Sequence, residues 1–132
     1  MQMEVESDEF WLRLGNEYIL GKPCNDCPTN IRTFRQNFGC SPLVVKLCWR
    51  LLLDCTTVTK CAKPVHLLWA CLFLKVYGKE STHSSLVRCS DKTFRNWAWK
   101  FVYAISDLEP YVVSKDCFLF IYKIQISLIV EL

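Results

Sequence analysis

The stretch HLLWACLFLKVYGKESTHSSLVRCSDKTFRNWAWKFVYAISDL, residues 66–108, is the organising element of the chain. It divides into three helical pieces, the last two joined by a very short turn. That layout is a helix-turn-helix, a module that sets its second helix in a DNA major groove. Within residues 91–108, Phe94, Trp97, Ala98, Phe101, Ile105 and Leu108 recur three or four apart. At about 100° per residue they share one face of a helix. The opposite face carries Lys92, Arg95, Asn96, Trp99, Lys100 and Tyr103. Ser90 suits the N-cap, because its hydroxyl can accept a free backbone N–H of the first turn. Asp91 suits the positive end of the helix dipole. Residues 81–88 form a short helix anchored by Leu86 and Val87, and Cys89 and Ser90 make the turn.

A long amphipathic helix with basic and amide residues near its start suits groove reading. Asn and Arg reach adenine and guanine edges, and Lys reaches phosphates. The expected DNA contacts are Lys92, Thr93, Arg95, Asn96 and Lys100, with Arg88 in the turn as a further contact. Ser90 and Asp91 serve as cap and positioning residues. A helical hairpin inside any small all-α domain would give the same apolar spacing, so charge placement has to separate the two. Residues 81–100 hold Arg88, Lys92, Arg95 and Lys100 against Asp91 alone. The whole chain holds 16 bases and 13 acids, so the remainder is balanced at twelve of each. The positive excess sits on the candidate reading unit, as an electrostatic footprint should.

Length and composition set the bounds. At 132 residues the chain is one domain or part of one. A hydrophobic content of 52% and five Trp are ample for a core, which excludes a disordered or low-complexity chain. The first nine residues hold Glu4, Glu6, Asp8 and Glu9 and no base, unlike a secretory signal or an Arg-rich transit peptide. The expected location is the nucleus or cytoplasm, without secretion. Nine Cys, an odd number with no export signal, are expected to stay reduced. Cys48 and Cys71 fall inside apolar helical patterns, where Cys acts as a small hydrophobe. Cys24 and Cys27 form a C-x-x-C, but a zinc site needs four ligands and no second pair follows at useful spacing. A loop with free thiols is the favoured reading, and no metal or cofactor is expected.

Outward from the central stretch, residues 1–31 read as a lead-in. A short helix over residues 9–20 uses Phe10, Leu12, Leu14, Tyr18 and Ile19. Gly21, Pro23, Asn25, Asp26, Pro28 and Asn30 then cluster as loop. Residues 31–38 give a helical turn or two, ended by Gly39. Ser41-Pro42 is a strong helix start, with Val44, Leu47, Cys48, Leu51 and Leu52 as its apolar face. Residues 56–63 read as loop, and Pro64 opens a helix over about residues 65–77 that is apolar nearly all round. Such a helix belongs at the centre of the fold. It is well short of the ~20 residues that span a bilayer. After Glu109-Pro110 the tail YVVSKDCFLFIYKIQISLIVEL is rich in β-branched and aromatic residues and reads as strand. A lone apolar strand has no sheet to join, which suggests that sequence is missing downstream.

Three blocks resemble the N-terminal region of Harbinger-like DDE transposases. They are FGCSPLVVKLCWRLL (38–52), PVHLLWACLFLKVYGKE (64–80) and CSDKTFRNWAWKFVYAISDLEP (89–110), in the family's order and spacing. The resemblance covers roughly residues 32–113. It implies a helical module that binds transposon ends, followed in the family by a separate RNase-H-like domain. There, three acidic residues hold two divalent metal ions for strand cleavage and transfer. The first of those acids lies in a V-D-G-like strand, and this chain has none. Its only later acids, Asp116 and Glu131, do not resemble the motif. The family turn usually has Gly where Arg88 stands. A left-handed Arg costs roughly 1 kcal/mol, which puts the geometry of the turn in question.

The expectation is therefore an all-α small helical bundle containing a helix-turn-helix. Residues 1–31 are the lead-in with loop, 32–110 the helical domain and 111–132 an unmatched apolar tail in β conformation. It would bind double-stranded DNA and catalyse nothing, as a transposase fragment truncated before its nuclease. The rivals are a helical protein-interaction module working through Trp99 and Tyr103, and a non-functional transposon relic.

Overall fold

The computed structural model describes residues 7–22, 27–55, 57–75 and 87–108. The architecture is all-α, with five α-helices and no strand among the described residues. They are α1 (Asp8–Arg13), α2 (Cys27–Phe38), α3 (Pro42–Cys55), α4 (Pro64–Lys75) and α5 (Asp91–Ser106). A π-helical segment, Leu14–Ile19, continues α1, and a 3₁₀ turn, Val58–Cys61, precedes α4. The expected strand over 111–132, Cys24 of the C-x-x-C, and residues 81–86 of the short helix lie outside the described residues.

Local chemistry sets the helix ends. Ser7 caps α1 by accepting the Phe10 N–H at 3.1 Å. Gly39, at φ +84°, ends α2 in the left-handed conformation, and its N–H reaches the Arg35 carbonyl at 2.9 Å. That is the single-bond left-handed cap, which a glycine adopts without a Cβ penalty. α2 starts at Cys27, earlier than the Pro- and Asn-rich composition suggests. Pro28 is tolerated there because the first-turn N–H groups have no intrahelical partner to lose.

α4 is the centre. Leu67, Leu68, Trp69, Ala70, Cys71, Leu72 and Phe73 are all buried, so every side of the helix is covered. It packs most extensively against α5 and also meets α2 and α3. α3 turns its buried stripe toward Val45 and Trp49 as well as Val44, Cys48 and Leu52, while Leu47 and Leu51 are only partly covered. The segment before residue 32 contributes to this same core. Trp11 is fully buried, its ring 5.8 Å from Trp49, whose ring in turn stacks on Phe101 of α5 at 6.2 Å. Lys46 and Asp8 pair at 2.8 Å and pin α1 to α3 from outside.

The π segment explains how a polar residue enters the core. The Leu20 N–H bonds the Gly15 carbonyl at 3.0 Å, the i→i−5 pattern of a π turn. This register brings Asn16 inside, where its Nδ2 donates to the Asn30 carbonyl at 2.9 Å. Gly15 beside it is pressed by α2: a Cβ there would lie 2.6 Å from the Phe34 ring and 2.7 Å from the Phe38 ring.

Candidate nucleic-acid interface

The α5 helix is built as its sequence reads. Ser90 is extended at φ −70°, ψ 154°, and its Oγ accepts the Thr93 N–H at 3.1 Å. The same hydroxyl donates to Thr93 Oγ1 at 2.8 Å. Thr93 is thus engaged in the cap, while its own hydroxyl proton stays available to an acceptor such as a phosphate. Asp91 lies in the first turn, where a carboxylate is favoured by the dipole.

The turn before it contains Arg88 at φ +64°, the one non-glycine with positive φ among the described residues. Arg88 thus takes a backbone geometry that favours glycine, at a cost of roughly 1 kcal/mol. Burial, with the Asp91 carboxylate second, holds the Cys89 thiol above its ordinary value, so this turn carries a neutral thiol.

Phe94, Ala98, Phe101, Ile105 and Leu108 are buried, together with Val102 and Ala104, which the simple spacing omits. Phe94 meets Trp69 at 5.9 Å and Phe73 at 6.4 Å, locking the first turns of α5 onto α4. Lys92, Thr93, Arg95, Asn96 and Lys100 are all exposed along the outer face, and Asp91 is the only acid among residues 88–100. The predicted site residues on the helix are brought together on one surface, with Arg88 in the adjoining turn.

Two expected roles change. Trp99 is only partly exposed on that face, because its ring packs against Phe73 of α4 at 5.4 Å. Tyr103 is 54% exposed and leans on Trp99 at 5.7 Å. Trp97 is half-buried rather than central. One of its neighbours could not be read from the α5 pattern. His66 of α4 stacks on it with ring centroids 4.1 Å apart and planes 5° from parallel. The Lys100 ammonium lies over the same indole, 4.8 Å from its centroid. His66 is itself fixed, since its Nδ1 accepts the Lys63 N–H at 3.0 Å. Lys63 stands at the N-cap of α4, Pro64 at its first position and His66 at the third. The imidazole therefore does what Glu does in a capping box. Desolvation, with Lys63 second, lowers its pKa to about 4.

Among the described residues there is no group of three or more His, Cys, Asp or Glu that could hold a metal ion. No described helix is long and apolar enough to cross a membrane. Comparison with family models, curated proteins and solved structures finds no match to this chain.

Proposed function

We propose that the protein is a duplex-DNA-binding helix-turn-helix module of transposase descent. The carrying observation is the outer face of α5, which exposes Lys92, Arg95, Asn96 and Lys100 together beyond a left-handed turn at Arg88. A rigid helix with basic and amide side chains near a capped N-terminus suits phosphate contact and base reading at once. The three blocks that resemble Harbinger-like transposases coincide with α3, α4 and α5, which pack on one another. That coincidence supports the descent, since the resembling blocks form one packed unit.

In this reading Lys92 and Lys100 neutralise phosphates, Arg95 and Asn96 face base edges, and Thr93 and Arg88 hold the register at the backbone. The test is a mobility shift on duplex DNA with the parent chain and with Lys92→Glu/Lys100→Glu. The parent is expected to bind and the double variant to lose binding while keeping its helical circular dichroism. Magnesium-dependent nicking is expected from neither. Equal binding by both proteins would overturn the reading.

A second reading is favoured by one observation, the exposed Tyr103 resting on Trp99 beside the basic face. Exposed aromatics of this kind mark partner surfaces. In that case Tyr103→Ala removes a protein complex and leaves DNA affinity alone.

A further inference from the structure

Resting on the DNA-binding reading, we infer that Trp97 and His66 are positioning residues that fix the Lys100 ammonium for one phosphate contact. An exposed Lys keeps much rotamer entropy, and a contact made by such a chain must first offset that loss. Here the ammonium is already located, 4.8 Å from the Trp97 centroid, where the ring quadrupole attracts it. The indole is a fixed platform, because turning it would break the near-parallel stack with His66. His66 is fixed in turn by the Lys63 N–H on Nδ1 and by the edge of Trp69 at 4.7 Å. A chain of contacts thus runs from the backbone at the start of α4 to a charge on the outer face of α5. Neither His66 nor Trp97 has to touch DNA for this. The arrangement is specific to Lys100, since Lys92 lies in the first turn of α5, more than one turn away along the helix.

The experiment is a double-mutant cycle on duplex binding across a salt series, with Lys92 as the internal control. Lys100→Ala and Lys92→Ala are each made in the parent, in Trp97→Leu and in Trp97→Phe. In the parent, Lys100→Ala is expected to weaken binding several-fold and to make the salt slope shallower by about one. In Trp97→Leu, which keeps an apolar side chain but no ring, that penalty should largely vanish. Trp97→Phe should restore part of it, because a ring remains beneath the ammonium. Lys92→Ala should cost the same in all three backgrounds, which a merely destabilised α5 would not allow. His66→Gln should reduce the Lys100 penalty as Trp97→Leu does. An undiminished Lys100 penalty in the Trp97→Leu background would overturn the inference and leave DNA binding standing. A parent without salt-sensitive duplex binding would overturn the DNA-binding reading and this inference with it.

Discussion

His66 and Trp97 lie face to face across the α4–α5 contact, 4.1 Å apart at their centroids. His66 belongs to the cap of one helix and Trp97 to the inner edge of the other. A single imidazole therefore links helix initiation to interhelix packing, and its neutral form is required, because Nδ1 acts as an acceptor.

This gives stability a dependence on acid. His66 titrates at about 4 in the fold, against 6.5 for an ordinary His. The unfolded chain binds the proton first, so stability present above pH 6.5 is lost as pH falls toward 4. The group is half-exposed, and after allowance for solvent screening the loss is about 1–2 kcal/mol. Melting temperature measured over this window should fall more steeply for the parent than for His66→Gln. Parallel curves would remove His66 from the account.

Phe101→Ala should destabilise by about 3–5 kcal/mol, because the ring is fully buried against Trp49. Trp97→Ala should cost about half of that, its ring being partly exposed. Urea denaturation separates the two, and equal midpoints would contradict the burial difference between them.

Gly15→Ala places a methyl where the Phe34 and Phe38 rings already stand, both under 3 Å away. Ala is otherwise the best helix former, so propensity predicts a gain. Overpacking should prevail, with a net loss of about 1–3 kcal/mol. A raised melting temperature would show that α2 can move aside.

Much of this fold is legible where chemistry is local. Ser90, Gly39 and the Ser41-Pro42 pair announce helix ends because caps need particular atoms within three or four residues. The apolar circumference of residues 64–75 announces a central helix for a similar reason. What escapes is phase and long-range contact. α3 is apolar around most of its surface, so spacing alone does not separate Leu47 and Leu51 from Val45 and Trp49. The π register at Leu14–Ile19 has no local signature, and with it the burial of Asn16 stays hidden. In the site, the exposed basic residues follow directly from helical periodicity. The His66 stack and the embrace of Trp99 by Phe73 do not, because both depend on how α4 crosses α5.

At the interface, Asn96→Ala should cost about 1–3 kcal/mol at a specific duplex site and little on random sequence. Selection of a preferred site from a random pool, then competition binding with both proteins, measures the difference. Identical site preference in the variant would place base reading elsewhere.

The most direct test is the salt dependence of duplex binding by the parent chain. With about three to five phosphates contacted, log K should fall against log salt with a slope of about −3 to −5, and Lys92→Ala should make it shallower by about one. A flat response, unchanged in the Lys92 variant, would contradict the account: the basic face of α5 would then be a solvated surface that does not bind DNA.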